Sequence, residues 1–217
     1  MSTHSWGWES LPDIDATAMS ELTDEYWHTI VMGHSPALGT QPIALAATGL
    51  VASGKSTLTQ PLAESVDMVT VSTDVIREML YRKGFNFTKA RAIVMRIVSQ
   101  LIRDRYNLNL DFNIANDITI LDECSESGYK VFIVHANPPE SFIKDKITNG
   151  RLARDLTFLG NDNTALEVML KNRENHIKKL GELKRRYPIW REIDTSKIDL
   201  QQLIESMRRD FLAEITA

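Results

Sequence analysis

Four sets of residues in this 217-residue chain have the types and spacing to handle a phosphate. The first lies in residues 43–58, which read IALAATGLVASGKSTL. Gly49 and Gly54-Lys55-Ser56 there satisfy the G-x-x-x-x-G-K-[ST] pattern. Glycines let a backbone close around an anion, so that its N–H groups and the following helix N-terminus point at phosphate oxygens. Gly49, Ala52, Ser53, Gly54, Lys55, Ser56 and Thr57 are therefore the expected nucleotide-binding residues. Lys55 is placed for the β- and γ-phosphates, and the Ser56 hydroxyl for a magnesium ion. The second set is Asp74 with Arg77 one helical turn later: a carboxylate able to accept the proton of an attacking hydroxyl, and a guanidinium able to fix it. Asp111 is the third, a carboxylate to hold magnesium with Ser56. Arg151 and Arg154 form the fourth. They follow a glycine break and are placed to fold over the nucleotide and neutralise the transferred group.

These residues must be carried by something. The apolar run 43–47 reads as a strand, and 56–64 as the helix behind the loop, with Pro61 expected to kink it or end it early. MVTVS at 68–72 is a β-branched strand, 75–82 a helix, and Thr88 an N-cap for a long helix to about 105. NLNLD at 107–111 is a third strand. ITILDE at 118–123 imitates a strand ending in Asp-Glu. However, Ile114, Ile118 and Leu121 recur at helical spacing and Gly128 supplies a stop, which predicts a helix with Asp122 and Glu123 on its surface. Strands follow at 130–135 and 190–193, with helices at 138–147, 164–185 and 200–213. Five short strands alternating with helices predict an α/β fold, a parallel sheet covered on both faces. Ligands of such sheets bind beyond the carboxyl ends of the strands, which would gather Gly49 to Ser56, Asp74, Asp111, Asn137 and Asp194 in one cleft.

Hydrophobic residues make up 43% of the chain, enough for one sizeable core. Residues 1–41 form an acidic extension expected to pack on the core, with Trp6 and Trp8 as anchors and a helix over 19–32; residues 42–217 form the main domain. The net charge of −4 argues against general attraction to nucleic acid or anionic membrane, yet it is unevenly spread. No Lys or Arg precedes Lys55, whereas Lys171, Arg173, Lys178, Lys179, Lys184, Arg185 and Arg186 crowd one stretch. That stretch is a solvated helix face or a surface guiding nucleic acid, and the opposite charges predict that the acidic extension lies on it. His28 and His34 have no third ligand at metal spacing. One cysteine, Cys124, allows no intrachain disulfide, and no apolar run reaches membrane-spanning length, so a cytoplasmic protein is expected.

GLVASGKSTL (49–58), STDVIREML (72–80), LDFN (110–113) and IDTS (193–196) resemble, in order and spacing, the small P-loop kinases of the polynucleotide kinase, zeta toxin and 2-phosphoglycerate kinase type. The resemblance implies a three-layer P-loop kinase fold, Asp74 as general base with Arg77 beside it, a lid near Arg151 and Arg154, and a base-side contact at Asp194, Thr195 and Ser196. Leu50, Val51 and Ala52 depart from the family, which often has a further glycine or proline there. The leading expectation is an ATP- and Mg2+-dependent kinase of a hydroxyl on a small metabolite or nucleotide sugar. Tyr81, Arg82, Phe85 and Arg91 are candidates for the acceptor site. The alternatives are a polynucleotide 5′-hydroxyl kinase using residues 171–186, a non-catalytic nucleotide-binding adaptor, and a GTP switch suggested by Ser196-Lys197-Ile198-Asp199.

Overall fold

The structure is a computed structural model that describes residues 10–149, 162–197 and 199–216, with 162–170 described by their backbone alone. Five strands, β1 (Ile43–Thr48), β2 (Val69–Ser72), β3 (Leu108–Asn113), β4 (Lys130–Ala136) and β5 (Arg191–Ile193), form one sheet in the order β2-β3-β1-β4-β5. All four pairings are parallel. β1 is central and buried at every residue, as its unbroken apolar run requires.

Eight α-helices complete the described residues: α1 (Ala16–Tyr26), α2 (Lys55–Glu64), α3 (Thr73–Arg82), α4 (Ala90–Arg103), α5 (Ile118–Glu126), α6 (Glu140–Thr148), α7 (Asp162–Arg186) and α8 (Leu200–Thr216). They cover both faces of the sheet. On one face α1, α4 and α5 bury Leu22, Tyr26, Ile93, Ile97, Leu101 and Leu121 against the strands. On the other, α2 and α8 close on Phe132, with Phe132, Trp190 and Phe211 meeting edge-on or tilted at 4.9 to 5.7 Å. The sheet therefore separates two apolar layers, and its carboxyl edge collects the loops.

ITILDE is helical, and both of its acids serve as ties. Asp122 accepts from Arg186 at 2.6 Å and Tyr187 at 2.5 Å, which holds its carboxyl below the ordinary range; Glu123 accepts from Ser99 at 3.0 Å. Several expectations are corrected. α2 runs three residues past Pro61, so the proline does not end it early. The α4 cap position is Lys89, because Thr88 gives its N–H to Asn86 Oδ1 (3.0 Å) in a local turn. β3 continues two residues beyond Asp111, with a register shift opposite Ala46 and Ala47. The described part of the acidic extension does not pair with the basic α7. Glu25 reaches Lys83 at 2.7 Å, Asp13 accepts from Asn86, and Asp15 caps α1. The α7 cations instead find Glu140, Asp122 and Glu192.

Extended as a helix to residue 32 by the sequence reading, the N-terminal segment passes at Tyr26 into a π-helical turn, Trp27–Val31. Tyr26 is fully buried and gives its hydroxyl proton to the Thr70 carbonyl of β2 at 2.8 Å. Trp27 sets its ring edge-on to Tyr106, 6.1 Å away.

Candidate active site

The loop between β1 and α2 is shaped by what cannot fit inside it. Gly49 has φ +146°, and a Cβ there would stand 2.5 Å from the Ala136 carbonyl oxygen and 2.6 Å from Ser53 Oγ. Gly54, at φ +95°, is the last residue before α2, so the helix starts at Lys55 with its first N–H groups facing the loop. Ala52 adopts φ +60°, a left-handed conformation that L side chains rarely take. The departures from the family spelling have a packing cause: Leu50, Val51 and Ala52 lie against Ile143 and Ile147 of α6. An apolar contact holds this loop where a glycine or proline often stands.

Lys55 donates from Nζ to the carbonyls of Leu50 (2.8 Å) and Gly49 (3.2 Å), which folds the side chain back over the loop. Burial pushes its pKa down, while the negative charges of Asp111 and Asp74 oppose that shift. Both carboxylates therefore lie within electrostatic reach of the ammonium. Ser56 Oγ donates to Asp111 Oδ1 at 2.7 Å. Register explains the approach: Asp111 pairs with Ser72, the last residue of β2, so the two strands deliver Asp111 and Asp74 to one edge. Asp74, about two-fifths exposed, accepts from Arg77 Nη1 at 3.0 Å. The turn after β5 rests on the loop, with Thr195 Oγ1 donating to the Ser53 carbonyl at 2.9 Å. Asp194 accepts from the Ser196 hydroxyl (2.6 Å) and backbone N–H (3.0 Å), bonds that hold its carboxyl below the ordinary range.

A second set of polar groups lies along the neighbouring strand ends. Thr48 Oγ1 donates to Asn113 Oδ1 at 2.8 Å, and Asn113 Nδ2 stands 3.1 Å from Nδ1 of the buried His176 on α7. His135 of β4, in register with Thr48, is also buried; its Nδ1 lies 3.3 Å from Glu192 Oε1 without hydrogen-bond alignment. Burial pushes His135 down against the pull of Glu192. It lowers His176 to about 4, helped by the proximity of His135, which disfavours a second charge, and by the positive charge of Lys55. Glu192, held low mainly by Lys184, also accepts from Asn137 at 3.0 Å. Of these groups His135, Asn137 and His176 line a cleft of about 280 Å3, together with Leu50, Glu140 and Arg173.

The family profile of the AAA domain matches residues 45–155, just over half of the chain. This chain belongs to the AAA domain family. The match spans the loop, Asp74 and Asp111. No curated protein matches it. Among solved structures it is similar to one from the PezAT chromosomal toxin-antitoxin system of Streptococcus pneumoniae (TM-score 0.60, 15% identity, 94% of this chain and 98% of that chain). It is also similar to shikimate kinase from Bacteroides thetaiotaomicron (TM-score 0.53, 12% identity, 81% of this chain and 99% of that chain). These likenesses establish the P-loop kinase fold.

In this member of the family the expected loop residues, Asp74, Arg77, Asp111 and the 194–196 turn converge. Arg151, Arg154, Trp6 and Trp8 lie outside the described residues. The acceptor candidates disperse. Tyr81 is exposed one turn beyond Arg77, Arg82 pairs with Glu78, Phe85 packs on the larger core, and Arg91 holds Asp117 and the Asn116 carbonyl. Asn113, His135, Glu140 and His176 did not emerge as site residues from sequence, and Arg173 did so only within the basic stretch. Only the position of His135 and Asn113 at strand ends offered a signal. Among the described residues no helix is long and apolar enough to cross a membrane, and no cluster of three or more His, Cys, Asp or Glu forms a metal cage.

Proposed function

We propose that the chain is an ATP-dependent kinase transferring the γ-phosphoryl group to a hydroxyl of a small metabolite or nucleotide sugar. One observation carries this reading: Ser56 of the glycine loop donates to Asp111, which pairs in register with Ser72, so the loop with Lys55 folded over it, Asp111 and the start of α3 that carries Asp74 meet at one edge of the sheet. Asp74 accepts the proton of the attacking hydroxyl, and Arg77 fixes the carboxylate for that task. Lys55 and the loop amides hold the phosphates in line.

Magnesium fits the donors present, because Ser56 Oγ and Asp111 Oδ1 are hard oxygens 2.7 Å apart. Those two would hold the ion, directly or through water, and the metal would supply neutralisation of β- and γ-phosphate charge. Thr195, bonded to the loop, and the Asp194–Ser196 turn would meet the base side of the nucleotide.

The test is a screen of hydroxyl metabolites, nucleotide sugars and 5′-hydroxyl oligonucleotides with γ-labelled ATP, comparing wild type with Asp74→Asn. Transfer to a metabolite that falls about 10²- to 10⁴-fold in the variant, with nucleotide affinity retained, supports the reading. Equal transfer by both proteins removes Asp74 from the mechanism. A wild type that binds no nucleotide removes the kinase.

A further inference from the structure

The second row of polar groups has a chemistry that the transfer mechanism leaves unused. Thr48 donates its hydroxyl proton to Asn113 Oδ1, which orients the amide and turns its Nδ2 hydrogens toward α7. His176 Nδ1 meets that donor at 3.1 Å and must therefore be the unprotonated, accepting nitrogen of the ring. A neutral imidazole whose Nδ1 accepts carries its hydrogen on Nε2. His176 also lines the cleft between the loop and the α6–α7 pair. The buried ring shares that cleft with Leu50 of the glycine loop, so this donor lies beside the phosphate cradle.

Neighbouring groups preserve this state. His135 and Lys55 both disfavour a charge on His176, and its burial acts in the same direction. The cleft's charged pair is mutually satisfied, Arg173 Nε meeting Glu140 Oε2 at 2.8 Å. His176 therefore brings a fixed, uncharged N–H to a wall whose remaining lining is largely apolar, with Leu50, Ile143, Ile177 and Leu180. An oriented donor in such surroundings discriminates strongly, because a ligand lacking the matching oxygen leaves it unsatisfied.

We propose that His176 is a specificity-determining contact to the phosphoryl acceptor, its Nε2–H reading a hydroxyl or carbonyl oxygen of that molecule in the α6–α7 cleft. This inference rests on the kinase reading above. It moves acceptor recognition away from Tyr81, Arg82, Phe85 and Arg91, the candidates the sequence suggests, and onto α7.

Two substitutions separate the ring's two nitrogens. His176→Asn keeps an acceptor at the Nδ1 position for Asn113 but loses the donor in the cleft. His176→Gln keeps a donor near the Nε2 position but loses the bond to Asn113. With whichever hydroxyl metabolite, nucleotide sugar or 5′-hydroxyl oligonucleotide the γ-labelled ATP screen identifies, His176→Asn should raise the acceptor KM roughly 3- to 10-fold. The KM for ATP and the melting temperature should stay near wild type. His176→Gln should keep the acceptor KM within about twofold and lower the melting temperature instead. Two-bond nitrogen–proton NMR of the imidazole should report the Nε2–H tautomer. Unchanged acceptor KM in His176→Asn with transfer intact, or an Nδ1–H tautomer, overturns the contact and leaves the kinase standing. A protein that binds ATP but phosphorylates nothing in the screen overturns the kinase reading, and the contact with it.

Discussion

The carboxyl edge of the sheet has two unlike halves. At the β2–β3 end stand Asp74, Arg77 and Asp111, ionic groups of which Asp74 and Arg77 are more than one-third exposed. At the β1–β4 end stand Thr48, Asn113, His135 and His176, uncharged and, apart from Asn113, almost wholly buried. Lys55 lies within electrostatic reach of both: burial lowers its pKa and the carboxylates oppose that shift, while its own charge adds to the burial that lowers His176. A field that favours a cation on one side disfavours a second one on the other. The contrast shows how one edge can concentrate charge where phosphate chemistry would need it and exclude charge where shape and direction would be read.

This contrast can be broken from either side. The largest effect is expected at the ionic half: Asp74→Asn should lower kcat about 10²- to 10⁴-fold and leave nucleotide affinity nearly intact, measured by transfer assay and calorimetry. Gly49→Ala strikes the hinge between the halves. The added methyl has nowhere to go between Ala136 O and Ser53 Oγ, so stability should fall by about 2–4 kcal/mol, with loss of nucleotide binding, in denaturant titration. At the neutral half, Thr48→Val leaves the half-buried Asn113 amide short of one partner and should cost about 1 kcal/mol with no change in the loop itself.

The pH response sharpens the comparison further. His176 binds its proton more weakly folded than unfolded, its pKa falling from 6.5 to about 4. Between those values the unfolded chain holds more protons, so stability rises with pH across the window and is lost as pH falls through it. Melting temperature followed from pH 7 to pH 4 should therefore drop, and His176→Asn should flatten that drop. The smallest effect belongs to the loop: Ala52→Gly, relieving φ +60°, should stabilise by about 0.5–1 kcal/mol.

The ionic half was legible in the sequence because its signals are local. A glycine loop, an acid closing a β-branched strand and an arginine one turn later each declare themselves within a few residues. The parallel sheet was legible for the same reason, from alternating apolar runs and breaks. The neutral half was not. His135 reads as the tail of a strand, and His176 is lost in a basic stretch whose charges dominate the eye. Only the Thr48–His135 register and the docking of α7 on the end of β3 bring them together, over separations no local pattern records. Asp122 teaches a related lesson: its helix was recognisable, but its grip on Arg186 and Tyr187 depends on where another helix ends.

A parallel sheet of this order has two outer strands, and each outer strand invites annexation by a foreign one. β5 discourages that by brevity and charge, being three residues long with Arg191 and Glu192 in it. β2 relies on an inherited chaperone of its own: the phenol of Tyr26 occupies the Thr70 carbonyl, and the π-helical turn behind it roofs the strand. Shaving the chain back to the first strand would strip that guard and leave the outer edge of β2 open to a foreign strand.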